Sequence, residues 1–213
     1  MQGKADKYDA MGYIKEGKIF HLDGIDKGET ADAWTEIVNG YIYTNNGAVE
    51  ESNGWSFLGS SDSFLSRNSI PFSANNNYTV EVCITPNTSN RYLLINWVGA
   101  ATTNTPLFFR NAQAITFLQN GNTYNQTFVN GQNYCISINL DIGCINGQSK
   151  IKNSAKDYWN PNAYISFIGK RNTGDAYKGK IYSIRLYNKR LTFDEMFNNQ
   201  QVDNQRFNLG LDI

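Results

Sequence analysis

The sequence predicts an all-β chain, a two-sheet antiparallel sandwich with one short C-terminal helix. Three observations carry this. Asn-Gly pairs recur at Asn39, Asn46, Asn53, Asn120, Asn130 and Asn146, and both residues tolerate the positive φ of tight hairpin turns. Short β-branched and aromatic runs lie between these turns, at Tyr41 to Thr44, Thr79 to Thr85, Tyr92 to Val98, Leu107 to Arg110, Ala114 to Leu118, Cys135 to Leu140 and Tyr164 to Ile168. That spacing suits a sandwich. Near the C-terminus an alternating strand runs directly into a marked helix start.

In the last strand, Lys180 to Tyr187, period-2 alternation puts Ile181, Ser183, Arg185 and Tyr187 on one face and Tyr182, Ile184 and Leu186 on the other. Apolar residues on both faces predict a covered strand. Thr192 precedes Glu195 by three residues, the spacing of a capping box, and Leu191 and Met196 occupy the staple positions. A helix should therefore start at Phe193. Helical patterning runs from Phe193 to Val202 and, more weakly, over Thr30 to Ile37.

The segment GKIYSIRLYNKRLTFDEM, Gly179 to Met196, resembles the closing strand and helix of laminin-G-like, concanavalin A-type jelly rolls. Further segments are similar to the same family in order and spacing: HLDGIDKG (His21 to Gly28), FLGSSDSFL (Phe57 to Leu65), YTVEVCITP (Tyr78 to Pro86), NYCISINLD (Asn133 to Asp141), CINGQ (Cys144 to Gln148) and FIGKR (Phe167 to Arg171). Cys83 and Tyr134 stand where many members carry Trp. The resemblance implies a jelly roll over residues 19–206, preceded by an arm, 1–18, and followed by a tail, 207–213. Tyr, Phe and Leu in both ends predict that they dock on something and could tie copies together.

With 19 basic and 19 acidic residues, no net field gathers phosphates, so nucleic acid is not expected as a partner. No stretch approaches the roughly 20 apolar residues of a membrane span, and the first residues lack the apolar core of a signal peptide. The odd set Cys83, Cys135 and Cys144 has no CxxC spacing, which predicts reduced thiols packed in strands. Nucleotide-binding glycine fingerprints are absent from the sequence.

Glycosidases need paired carboxylates about 5–9 Å apart, and laminarinase-type relatives carry them as ExDxxE, a motif this sequence lacks. Glu81 is the sole carboxylate of its strand, and His21 has no nucleophile signature beside it. These features predict a chain that is not an enzyme. No cofactor is expected, although Asp23 and Asp26 offer oxygens to Ca²⁺, which some laminin-G relatives bind. Trp34, Trp55 and His21 are expected to serve packing.

Sugar sites pair an aromatic face with groups that read hydroxyls. Aromatic and polar residues lie close together in Trp97, in Tyr124 with Asn125, in Asp157 with Trp159, and in Arg171. These are the candidate carbohydrate-binding residues. The expected function is recognition or assembly, with glycans or other virion proteins as partners and a homo-oligomer as the form. Proteins resembling this one occur as phage structural proteins and as bacterial surface glycan binders. The lack of a signal peptide favours a virion component made in the host cytoplasm; the alternatives are an extracellular lectin and, less so, a glycoside hydrolase.

Overall fold

The computed structural model describes residues 11–60, 62–67, 71–73, 77–87, 92–97, 107–111, 114–117, 122–151, 162–170 and 176–213. Among these the strands run in chain order as β1 (Lys18–Asp23), β2 (Ala33–Thr35), β3 (Ile42–Asn46), β4 (Val49–Glu51), β5 (Gly54–Leu58), β6 (Phe64–Ser66), β7 (Pro71–Ser73), β8 (Thr79–Pro86) and β9 (Tyr92–Trp97). They continue as β10 (Leu107–Asn111), β11 (Ala114–Phe117), β12 (Asn122–Asn125), β13 (Tyr134–Ile138), β14 (Ile142–Ile145), β15 (Gln148–Ile151), β16 (Asn162–Ile168) and β17 (Lys178–Tyr187), followed by helix α1 (Phe193–Phe207).

The strands form two antiparallel sheets. Sheet A has eight strands in the order β15-β14-β13-β8-β17-β5-β4, with β1 also paired to β17; sheet B has nine, β12-β11-β10-β9-β16-β6-β3-β2, with β7 paired to β16. Strand β17 is flanked by β8 on one side and by β5 and then β1 on the other. It is the central strand of sheet A.

The main core includes Phe20, Leu22, Val80, Val82, Ile84, Ile136, Ile138, Ile181, Ile184 and Leu186 from one face of sheet A. Trp34 and Trp55 lie in the same core, both fully buried with ring centroids 6.4 Å apart, the packing role expected of them. Burying a large apolar side chain is worth about 1.5–3 kcal/mol. A register shift between Ile181 and Ser183 corrects the simple alternation read from β17. The extra residue brings Ile181, Ile184 and Leu186 to the main core and leaves Tyr182, Arg185 and Tyr187 on the outer face.

Helix α1 packs on that outer face against β13 and β14. It begins at Phe193, with the Thr192–Glu195 capping box formed in both directions. It continues past Val202 to Phe207 because its inward stripe, Met196, Asn199, Gln200, Asp203 and Phe207, is helically spaced but largely polar. The weak helical pattern at Thr30 to Ile37 is overridden: Ala33–Thr35 is a strand paired with β3. Trp34 is held there by donating Nε1–H to the Asp23 carbonyl at 2.8 Å.

The segment around Tyr13 and Ile14 and the residues after α1 dock on this layer of the same chain. Tyr13 donates to Asp203 at 2.8 Å, the Ile14 N–H to Asn199 at 2.9 Å, and Asn133 Nδ2 to the Leu209 carbonyl at 2.7 Å. Of the Asn-Gly pairs, Asn146-Gly147 shows the double positive φ of a type I′ turn, at 47° and 72°, and joins β14 to β15.

Candidate functional site

Where β5, β17 and β8 run side by side, the outer face of sheet A opens into a cleft of about 440 Å³. Pairing sets its floor. Ser56, Lys180 and Thr85 form one cross-strand row, and Leu58 and Lys178 begin the next. The Asn87 N–H donates to the Lys178 carbonyl at 3.0 Å, and the Gly131 N–H to the Pro86 carbonyl at 2.8 Å, which brings Asn130 and Gly131 to the rim.

Tyr182 forms the inner wall. Its hydroxyl lies 2.9 Å from Thr85 Oγ1 and 3.2 Å from Asn133 Oδ1. Lys180 Nζ sits 5.0 Å from the Tyr182 ring centroid and donates to Asn53 Oδ1 at 2.6 Å and to Glu51. Lys180 and Ser56, both bonded to Glu51, hold that carboxyl below its ordinary value. Leu58 is 58% exposed and gives the cleft an apolar lip.

The floor is braced from the side. Cys83 on β8 and Cys135 on β13 are direct cross-strand partners and are joined as a disulfide, which corrects the expectation of reduced thiols. Spacing gave no sign of this pairing, because 52 residues separate the two in sequence. Further along, Thr85 on β8 is hydrogen-bonded to Asn133, which immediately precedes β13. Tyr182, Phe207 and Leu209 pack around the disulfide. Cys144 is the free cysteine, buried, its thiol pushed up to about 12 chiefly by burial.

Beside the disulfide, under α1, lies a buried charge network. Arg185 donates Nε–H to Glu81 at 2.8 Å and binds Asp203 through both terminal nitrogens. Ser137 and Asn199 donate to Glu81 at 2.9 and 3.0 Å. Burial works against the Arg185 charge, but Asp203 and Glu81 raise its pKa well above the ordinary value. Burial raises the Glu81 carboxyl and, with Asp203, the Tyr13 phenol. With its donors and acceptors satisfied by one another, this network anchors the helix and offers no open ligand position.

Of the residues expected to bind sugar, Trp97, Tyr124 and Asn125 fall among the described residues. Tyr124 is fully buried, its hydroxyl donating to the Asn139 carbonyl at 2.8 Å, so its ring presents no face to a ligand; its phenol pKa is raised by burial. Asn125 is exposed and lines a second cleft, about 520 Å³, with Gln126, Thr127, Gln148 and Lys150. Trp97 is the last residue of β9, paired with Ile165. Asp157, Trp159 and Arg171 lie outside the described residues.

Asp23 is buried and accepts from the Ile25 and Asp26 N–H groups at 2.9 Å each and from Arg206 at 2.6 and 2.8 Å. Its oxygens are thus already engaged as a turn anchor and ion pair, and Ca²⁺ at Asp23 and Asp26 would have to displace Arg206. His21 is fully buried, in line with a packing role. Sequence reading missed Lys178, Lys180 and Tyr182 as site residues. The signal was present in KGKIY, where alternation puts all three on one face.

No family model and no curated protein sequence matches the chain. Solved structures do match. Trypanosoma rangeli sialidase in complex with sialic acid has a TM-score of 0.69 at 13% identity, covering 96% of this chain and 38% of that one. The botulinum neurotoxin type G receptor-binding domain has a TM-score of 0.63 at 13% identity, covering 88% and 52%. The binding domain of botulinum neurotoxin DC in complex with SialylT gives 0.60 at 12%, covering 86% and 51%.

At such identities the likeness shows the fold alone, a two-sheet antiparallel β-sandwich. The chain spans between about a third and a half of the length of these proteins. The expectation that the chain is not an enzyme is corrected, because the similar structures include sialidases. Absence of the ExDxxE motif excluded only one way of placing carboxylates, and one fold hosts many chemistries.

Proposed function

We propose that this chain is a glycan-recognition module whose sugar site is the cleft between β5, β17 and β8. The observation that carries the reading is the cleft itself: about 440 Å³, within the size range of small-ligand sites, and framed by strands. Hydroxyl and amide groups of Ser56, Thr85, Asn87 and Asn130 surround the apolar surfaces of Leu58 and Tyr182. An apolar face ringed by such groups matches the two sides of a pyranose. Similar folds bound to sialic acid and to SialylT support the same reading.

The polar cleft at Asn125, Gln148 and Lys150 is a second candidate contact. A stacking role for Trp159 remains part of the proposal, and Trp159→Ala should lose glycan retention without a change in melting temperature. An equal loss of stability would mean that Trp159 packs instead.

The Cys83–Cys135 disulfide favours a working location outside the reducing cytoplasm. This suits an extracellular or cell-surface binder. It also suits a virion component released by lysis, where repeated copies would raise weak affinity through effective concentration. The test is a diverse glycan array probed with the purified protein in multivalent form, with and without calcium, alongside assays for glycan turnover. Reproducible sugar-specific signal supports the reading. A blank array overturns it in favour of an assembly role defined by protein partners.

A further inference from the structure

The charged side chains of the cleft are all of one sign. Its lining includes Lys178 and Lys180 and no carboxylate, in a chain whose formal net charge is zero. The two lysines differ in their surroundings. Lys180 is neutralised by Glu51 and tied to Asn53, so its charge is committed within the protein. Lys178 is exposed, and no carboxylate among the described residues pairs with it.

Lys178 is also positioned. Its backbone pairs with Leu58 and its carbonyl accepts from the Asn87 N–H. Its aliphatic stem lies against Gly59, where a Cβ would come within 2.9 Å of the Lys178 Cβ, so a residue with a side chain there would push the stem aside. Lys178 thus lines a cleft that also carries hydroxyl and amide groups, with no acidic residue in the lining. An ammonium of this kind attracts an anion most strongly where neighbouring donors share the charge.

We infer that this cleft selects saccharides bearing a carboxylate over their neutral counterparts, with Lys178 as the group that reads the charge. The inference rests on the glycan reading above. The carboxylate takes the Lys178 side of the cleft, where Asn87 and Asn130 supply further N–H donors. The uncharged part of the sugar lies against Leu58 and Tyr182.

The test is a titration of the intact protein with matched pairs: sialyllactose against lactose, and a glucuronate-terminated against a glucose-terminated disaccharide, at low and high salt. The acidic member of a pair should bind about 10-fold more tightly at low salt, the size of one charge-assisted contact, and the preference should shrink as salt screens it. Lys178→Gln should remove the preference and Lys178→Glu should reverse it, with the melting temperature unchanged because Lys178 is exposed. Equal binding of acidic and neutral sugars, or a preference that survives Lys178→Glu, overturns the inference while leaving the glycan reading in place. Binding of no sugar at multivalent display overturns both.

Discussion

Reducing the Cys83–Cys135 disulfide should weaken both the fold and the cleft. The bond spans a sequence separation of 52. A cross-link of that length removes about 14 cal/mol/K from the unfolded chain, or about 4 kcal/mol near room temperature. One local effect works against this: Cys83 Sγ lies 3.2 Å from Asp203 Oδ2, so the reduced thiol gains an acceptor worth about 1 kcal/mol. The net loss should be about 3–4 kcal/mol, equivalent to a fall in melting temperature of roughly 6–16 °C for a chain of this size. Urea unfolding of the wild type with and without reductant measures it, with Cys83→Ala/Cys135→Ala as a variant that should not respond to reductant. The same rung braces Thr85 and Asn133 behind Tyr182, so ligand affinity at the cleft should fall together with stability. Two free thiols at positions 83 and 135 in protein purified under oxidising conditions, or a reductant effect below about 1 kcal/mol, would refute the reasoning.

Asp203→Asn leaves the buried Arg185 with Glu81 as its remaining carboxylate, and removing one partner of a buried pair costs about 3–5 kcal/mol. Neutralising the whole network, Arg185→Met with Asp203→Leu and Glu81→Gln, should recover most of this in urea unfolding, and a loss below about 1 kcal/mol in the single variant would contradict the pairing. His21 is held well below its ordinary pKa first by burial, then by the charges of Arg185, Lys18 and Arg206. The unfolded chain therefore takes up a proton at His21 below about pH 6.5 while the folded chain does not, and stability should fall by up to about 1.4 kcal/mol per pH unit as pH drops through that window toward the depressed folded value. The buried carboxyls of Glu36 and Glu81 are raised by burial and act with the opposite sign, so the His21 contribution is read by comparing wild type with His21→Gln at pH 7 and pH 5; parallel curves would contradict it. Thr192→Ala should cost about 0.5–2 kcal/mol by removing the cap of α1, and an unchanged melting temperature would show that the capping box does not stabilise the helix.

The elements most legible in the sequence are those whose signal is local. Thr192 and Glu195 mark the start of α1 by spacing alone, and the runs at Thr79 and Cys135 announce β8 and β13 through their β-branched residues. Legibility fails where long-range pairing decides. The bulge after Ile181 is imposed by β17 pairing with β8, and it puts Ile181 and Tyr182 on the opposite faces from those strict alternation gives them. The far half of α1 escapes an apolar-periodicity test because Asn199, Gln200 and Asp203 face a network on Glu81, Ser137 and Arg185. The disulfide is set by register between β8 and β13 and leaves no mark in the spacing of the cysteines.

These failures share a place and a cause. All three concern the outer face of sheet A, which is polar because it is roofed by α1 and the chain ends rather than by the second sheet. Polar contacts on this face hold the roof in one position: Arg185 with Asp203, Gln200 with Ser137, and Asn133 with Leu209. The same face emerges from under the roof at Tyr182, Lys180 and Lys178. A strand anchored at Arg185 by buried ion pairs, beside the β8–β13 disulfide, thus begins with Lys178 and Lys180 at the edge of the cleft. Residues on a pinned strand lose little further freedom when a ligand binds, so binding there carries a small ordering cost. That rigidity is the physical reason to look for recognition at the open end of β17 before the surface loops.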